Sequence, residues 1–328
     1  MNSLTDTFGR VHTNLRVSVT DRCNLRCVYC MPEDVTFLDR EEVLSFEEMA
    51  TVVRVAAGLG VRKVRLTGGE PLLRRDLPVL VRMLTGIPGL TDIGLTTNGL
   101  LLAQQADSLF DAGLRRLNVS LDTLDPDRFR QLARRDGLDL VLKGLAEAKR
   151  VGFRVKVNAV ALRGFVEHDA APLARYCREQ GFELRFIESM PIGADPWDRG
   201  QFVPAHELLE LLDSQVSPLV PAAEFDPHAP ATEFEYADGG GRVGVIASVS
   251  KPFCSKCDRL RLTADGKLRN CLFALDEVDV KGILRAGRLD EAGIVEAFLR
   301  CVQSKREGHG IDTPAFEKPR RTMHTIGG

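Results

Sequence analysis

The chain lacks most of what would tie it to a membrane, a secretory route or a nucleic acid. Across its 328 residues no hydrophobic run approaches the ~20 apolar residues that a membrane-spanning helix needs. Residues 1–10 are polar and have no apolar core of the kind a secretory leader carries. Basic and acidic residues nearly cancel, leaving a formal net charge of -2, so no broad basic surface for nucleic acid is expected. Aromatic residues are sparse, and none interleave with basic ones as in a base-stacking platform. The six histidines (His12, His168, His206, His228, His309 and His324) fall outside every motif, so they read as surface or structural residues. No Ser/His/Asp hydrolytic arrangement can be assembled from them. These absences leave a cytoplasmic protein with neither membrane nor nucleic-acid partners expected.

Cysteine, by contrast, is present in a pattern. In a chain of this kind eight cysteines argue for metal or redox use rather than disulfides. Six form two triads: Cys23, Cys27 and Cys30, then Cys254, Cys257 and Cys271. Cys177 and Cys301 stand alone in helical patterns, where a free cysteine behaves as a small buried hydrophobe. The first triad, C-x3-C-x2-C, follows a β-branched segment at 16–20 that reads as a strand. Three thiolates cannot close a four-ligand site, so a ligand comes from elsewhere or one position stays open for chemistry. In the second triad, Asp265-Gly266 between two alternating runs predicts a hairpin. A two-residue turn there places Cys271 nearly opposite Leu260, and so near Cys257. Arg259 and Arg261 share one face of the outgoing strand, and two guanidiniums beside a metal site suit a polyphosphate. The alternatives are a zinc knuckle or three buried cysteines at the first triad and, at the second, a zinc ribbon with structural arginines whose fourth place an Asp or His fills.

Strand-like runs at 15–19, 63–67, 92–96, 116–120, 153–160 and 183–187 alternate with helical patterns at 45–59, 76–84, 102–112, 138–151, 169–180 and 206–212. Ser45 and Glu48 have capping-box spacing. Repeated strand–helix units imply an α/β fold with a parallel sheet and right-handed crossovers. Six units are fewer than the eight of a closed barrel, and periodicity alone does not separate an open barrel from a doubly wound sheet. In either, function gathers at the C-terminal strand ends, where the first triad, Thr67-Gly68-Gly69-Glu70-Pro71, Thr96 and Ser120 fall. Arg154, Lys156 and Asn158 alternate on one face of the fifth strand, a costly arrangement without a charged ligand. Past Gly193 the chain turns rich in Pro, Gly and Asp, so a partial barrel over 1–193 and a smaller region over 194–328 are expected.

The C-x3-C-x2-C spacing, with Tyr29 before its last cysteine, resembles the signature of radical S-adenosylmethionine (SAM) enzymes. Together with the Gly-Gly-Glu-Pro motif, the second triad and the terminal Ile326-Gly327-Gly328, the chain resembles the GTP 3′,8-cyclase family, which opens molybdenum cofactor biosynthesis. The likeness runs from about Arg16 to Gly328.

That resemblance implies an incomplete (β/α)6 barrel and a C-terminal region carrying a hairpin and a second iron–sulfur site. Cys23, Cys27 and Cys30 would hold a first [4Fe-4S] cluster whose open iron takes SAM. Tyr29, Gly69, Ser120 and Met190 match SAM-contacting positions. Cys254, Cys257 and Cys271 would hold a second [4Fe-4S] cluster facing the guanine. Arg16, Arg65, Thr96, Lys156, Arg259, Leu260 and Arg261 match GTP-binding positions. Arg16 and Arg65, with Gly327 and Gly328 of the di-glycine end, would support catalysis. A 5′-deoxyadenosyl radical would remove the ribose 3′-hydrogen, and C3′ would attack guanine C8 to give 3′,8-cyclo-7,8-dihydro-GTP. The implied partners are an electron donor such as flavodoxin or ferredoxin and the next pathway enzyme, cyclic pyranopterin monophosphate synthase, in a monomer or homodimer. A radical SAM peptide-modifying enzyme and a zinc-binding scaffold are the competing readings.

Overall fold

The computed structural model of the chain describes residues 3–192, 197–224, 226, 228–288, 290–311, 313–314 and 316–327. Gly328 and the expected boundary at Gly193 lie outside these residues.

The first part is a repeated strand–helix unit. Its strands are β1 (Asn14–Ser18), β2 (Lys63–Thr67), β3 (Asp92–Thr97), β4 (Arg116–Ser120), β5 (Arg154–Ala161) and β6 (Glu183–Glu188). Its helices are α1 (Phe46–Gly58), α2 (Leu77–Thr85), α3 (Leu102–Asp111), α4 (Pro126–Ala133), α5 (Leu138–Val151) and α6 (Val166–Gln180). α1 starts where expected: the Ser45 hydroxyl accepts from the Glu48 amide, and the Glu48 carboxylate accepts from the Ser45 amide at 2.7 Å. α4 was not anticipated, although Asp125 before Pro126 is a start signal; its carboxylate accepts from the Asp127 and Arg128 amides, both at 2.9 Å.

The remainder contains α7 (Ala205–Gln215), β7 (Leu219–Pro221), β8 (Thr232–Tyr236), β9 (Arg242–Ile246) and β10 (Arg259–Leu262). β11 (Lys267–Arg269), β12 (Val278–Asp279), α8 (Lys281–Leu284), α9 (Glu291–Gln303) and α10 (Met323–Ile326) complete it. This part is not a separate layer. All strands form one sheet in the order β12-β11-β10-β1-β2-β3-β4-β5-β6-β9-β8-β7. β10 runs parallel to β1 and β9 parallel to β6, so the returning chain lengthens the parallel run at both edges. The antiparallel pairs β10–β11 and β8–β9 then finish each side.

Side-chain alternation sorts the sheet's two faces. Leu15, Val17, Val64, Leu66, Leu117, Val119, Val155, Val157, Leu184 and Phe186 point to the helices and form the core. The intervening positions line one cavity, among them Arg16, Arg65, Thr96, Asn118, Lys156 and Arg185. Strands from both edges meet that same space, so the sheet curls into an open barrel.

The hairpin differs from expectation by one residue. Arg261 pairs with Arg269 and Leu262 with Leu268, and the Thr263 amide donates to the Lys267 carbonyl. The loop therefore has three residues, with Gly266 in the left-handed region at φ 75°. Such a loop turns the strand through an extra position and shifts the register.

The link from β2 into the motif at 67–71 is built on close backbone contact. The Gly69 amide donates to the Thr20 carbonyl at 2.8 Å and the Glu70 amide to the Arg22 carbonyl at 2.7 Å. A Cβ on Gly68, whose φ is 150°, would lie 2.3 Å from the Thr20 carbonyl oxygen. Gly68→Ala is therefore expected to destabilise the apo-protein by roughly 2 kcal/mol, read as a Tm several degrees lower by circular dichroism. An unchanged Tm would contradict this packing.

Candidate functional site

The cavity has a volume of about 820 Å³ and reaches both cysteine triads. They sit at opposite ends of the strands. Cys23, Cys27 and Cys30 follow the C-terminal end of β1, whereas Cys254 and Cys257 precede β10, whose first residue pairs with Asn14 at the start of β1. The five residues of β1 separate the two levels, on the order of 15 Å of strand.

The first triad's loop is anchored from several sides. The Arg26 amide donates to the Ala133 carbonyl at 2.9 Å and the Val28 amide to the Leu132 carbonyl at 3.0 Å, so α4 supports it. Cys23 Sγ accepts from the Leu25 amide at 3.4 Å and from the Asn98 side chain at 3.9 Å. Cys30 accepts from the His324 backbone amide. In the second triad Cys254 accepts from the His309 amide, and Cys257 Sγ receives the Lys305 ammonium at 3.6 Å. Such N–H···S contacts are what a thiolate-held cluster uses around its ligands. Burial pushes Cys23 up to about 11 and Cys30 up to about 12. At Cys257 burial also raises the pKa, but Arg259 and Lys305 overcome it and bring the thiol down to about 7.

Among the described residues no group of three or more Cys, His, Asp or Glu side chains is placed to hold a single metal ion. Thiolates ringing the wall of a roomy cavity suit a larger inorganic body. The donor set and its amide contacts therefore fit a [4Fe-4S] group.

Between the triads lies a band of positive charge. Arg261 of β10, Arg16 of β1 and Arg65 of β2 are direct neighbours across three parallel strands. Arg65 in turn lies over Gly94 of β3, where a Cβ would stand 3.0 Å from its Cζ, and donates to Asn118 Oδ1 at 2.7 Å. Among the described residues none of Arg16, Arg65, Arg259 and Arg261 pairs with a carboxylate. Burial, then the neighbouring guanidiniums, pushes Arg16 well below the usual arginine range and Arg261 down to about 9. Arginine keeps its proton at neutral pH, so the band is a standing demand for an anion. Lys156 is tempered by Glu183 at 2.6 Å.

The other residues expected at the site are placed as follows. Tyr29, Gly69, Thr96, Ser120 and Met190 line the cavity, and Tyr29 donates to Asp122 Oδ2 at 2.7 Å. Leu260 does not line it: by alternation its side chain is fully buried in the helix-side core, leaving only its backbone for a ligand. Arg154 is exposed at the start of β5 and likewise stays outside the cavity. The tail, whose di-glycine end the resemblance gives a part in catalysis, packs inward. Arg321 pairs with Asp265 at 2.8 Å and Glu277 at 2.6 Å, Ile326 is fully buried, and the Gly327 carbonyl accepts from Arg261 at 2.5 Å.

Several site residues escaped sequence reasoning. Arg185 shares the lumen face with Lys156 one strand away, a signal that alternation in β6 already carried. His228, His309 and His324, which fall outside every motif, also line the cavity; no sequence spacing links them to the triads. Glu70 is buried and accepts from the Leu72 amide at 2.9 Å, the Thr97 hydroxyl at 2.7 Å and the Asn98 amide at 2.6 Å. It ties the glycine motif to the turn after β3.

Comparison with known proteins accords with this arrangement. A profile described as "Radical SAM superfamily" matches residues 17–177, and one described as "Molybdenum Cofactor Synthesis C" matches 182–311. A protein of Rhodopirellula baltica named GTP 3′,8-cyclase is 47% identical over 336 residues, covering 99% of this chain and 92% of its own. Proteins of the same name from Moorella thermoacetica and Thermodesulfovibrio yellowstonii are 46% and 42% identical, each over 98% of this chain and 99% of their own.

The chain belongs to the GTP 3′,8-cyclase family.

It is thus a radical SAM enzyme, a superfamily that carries a [4Fe-4S] cluster and SAM. Membership removes the peptide-modifying and scaffold readings. Among solved structures, Streptococcus suis SuiB bound to S-adenosylmethionine matches with a TM-score of 0.63 at 14% identity, covering 95% of this chain and 76% of that one. Native anSMEcpe with bound AdoMet matches at 0.60 with 16% identity, covering 90% and 81%. At such identities these matches show the radical SAM fold of the cyclase chain alone. No helix of the described residues is long and apolar enough to cross a membrane.

Burial holds the Glu70 carboxyl up at about 7 against an ordinary 4.5, despite its three donors. A folded-state acid pKa above the unfolded one means that stability falls as pH rises from 4.5 through 7. Glu70→Gln removes that slope and one acceptor, costing roughly 1–3 kcal/mol. The wild-type advantage in Tm of the apo-protein should narrow between pH 5 and pH 7.5; an advantage that widens would overturn this reading of Glu70.

Proposed function

We propose that this chain converts GTP to 3′,8-cyclo-7,8-dihydro-GTP, the first step of molybdenum cofactor biosynthesis, with two [4Fe-4S] clusters at its two triads. The observation that carries this is the row Arg261–Arg16–Arg65 between the triads, inside one cavity and, among the described residues, without a carboxylate partner. A triphosphate is the anion such a row accommodates, since guanidiniums bind phosphate oxygens through paired, charge-assisted hydrogen bonds.

Cys23, Cys27 and Cys30 hold the first cluster in this reading; with SAM bound it supplies the electron and the carbon radical that begin the reaction. Tyr29, Gly69, Ser120 and Met190 line the adjoining wall and position the SAM. Cys254, Cys257 and Cys271 hold the second cluster, toward the base. Arg16, Arg65, Arg259 and Arg261, with Thr96 and Lys156, clamp the triphosphate. Fixing the nucleotide at both ends sets the ribose C3′–H toward the first triad and guanine C8 toward C3′. That converts a demanding ring closure into a step between pre-positioned atoms. The inward tail narrows the space around them: a Cβ on Gly327 would lie 2.9 Å from Thr67 Cγ2, so only glycine fits beside β1 and β2. Exclusion of water protects a radical from side reactions.

Anaerobically prepared protein should contain about eight irons and matching sulfide per chain, with GTP changing the electron paramagnetic resonance signal of one cluster. Zinc with little iron would sink the proposal, and four irons would confine it to the first triad. Deleting Gly327 and Gly328 should leave iron content unchanged and abolish cyclic product, measured by mass spectrometry after alkaline phosphatase treatment. Normal turnover by the truncated chain would refute the role given to the tail.

A further inference from the structure

Behind the second triad lies a buried cation that substrate binding does not use. Lys305 follows the C-terminal end of α9 and is 5% exposed. Its ammonium reaches the carbonyl oxygens of Cys257 at 3.3 Å and Arg259 at 3.1 Å, and Cys257 Sγ at 3.6 Å. Among the described residues no carboxylate pairs with it. An ammonium buried without an anion is strongly unfavourable, so its place demands a negative partner. The anionic groups facing it are the thiolates of Cys257 and Cys271.

Its side of the triad matters. Arg16, Arg259 and Arg261 line the large cavity beside the cysteines, and Lys305 does not. Lys305 lines instead a cleft of about 60 Å³ on the outer side, together with Cys254, Cys257 and Cys271. The cysteines therefore stand between substrate-facing arginines and a lysine at their back.

The lysine is also held in place. The Asn270 side chain donates to the Cys301 carbonyl at 2.8 Å and to the Ser304 hydroxyl at 3.0 Å, fixing the end of α9. Arg10 donates to the Cys254 and Glu307 carbonyls, both at 2.8 Å, and to the Arg306 carbonyl at 2.7 Å. Arg10 is itself braced by Asp6 at 2.6 Å. One clamp thus joins the cysteine loop to the segment that bears Lys305.

We infer that Lys305 is the built-in counter-charge of the second iron–sulfur cluster, a positioning residue that donates to Cys257 Sγ and raises that cluster's reduction potential. The inference rests on the two-cluster reading above. Reduction adds negative charge, and a fixed cation at a ligand sulfur stabilises the reduced form more than the oxidised form.

The test is a redox titration of the full chain, anaerobically prepared, followed by electron paramagnetic resonance, with iron and sulfide content. Lys305→Met keeps length and removes charge; Lys305→Arg keeps charge. With eight irons retained, Lys305→Met should lower the reduced-to-oxidised ratio of the second cluster at fixed potential at least tenfold, a 59 mV negative shift for one electron. The first cluster should not move, and Lys305→Arg should stay near wild type. Loss of four irons in Lys305→Met but not in Lys305→Arg would equally support a counter-charge. An unmoved midpoint in Lys305→Met with full iron would overturn the inference, as would loss of four irons in both variants. Four irons in the wild type would instead reject the two-cluster reading itself.

Discussion

The structure depends on a charge conflict that the fold itself creates. Parallel register sets Arg261, Arg16 and Arg65 side by side on the concave face of the sheet. Like charges at neighbouring strand positions are unfavourable, and burial compounds the cost. Among the described residues no carboxylate relieves it. The hydrophobic face behind β1 and β2, built from Leu15, Val17, Val64 and Leu66, holds the strands in register regardless. What remains is a cavity with a concentrated positive charge, the feature that the proposed triphosphate site rests on.

The chain's return supplies the other half of the site. β10 joins β1, bringing Arg259 and Arg261 to the lumen and the second triad to the opposite end from the first. The tail then crosses back, tied by Arg321 to the β10–β11 turn and ending against Arg261. Each thiolate group receives an amide from this late part of the chain: Cys254 from His309 and Cys30 from His324. The C-terminal segments thereby act as a common frame for both cysteine loops. Arg10 and Lys305 extend that frame to the outer side of the second triad.

Much of this was legible in the residues. The six strand–helix units were visible because a strand buried on its helix side and lining a polar lumen must alternate, and the capping box at Ser45 marks its helix without tertiary help. The two triads were legible because cysteine spacing reports chemistry directly. The hairpin at Asp265-Gly266 was legible in kind but not in register: whether Gly266 closes a two- or three-residue loop depends on the strands it must join. α4 was missed although Asp125-Pro126 announced it, since its short apolar stripe only makes sense beneath the first cysteine loop. His309, His324 and Lys305 were not legible, because the cysteine each one meets lies 48 or more residues away in sequence and no local spacing links the two.

The sequence by itself determined the local alphabet of this protein: which segments alternate, which cysteines act together, and which arginines share a face. Those follow from short-range periodicity and side-chain chemistry. Only the tertiary structure decided that β9 and β10 would extend one sheet at both edges, making the late region part of the barrel wall. It also decided that the di-glycine tail would lie inside and that Leu260 would face away. These outcomes depend on which edge strand finds which partner and on the register it adopts, and long-range pairing is selected by the whole core rather than by any one segment.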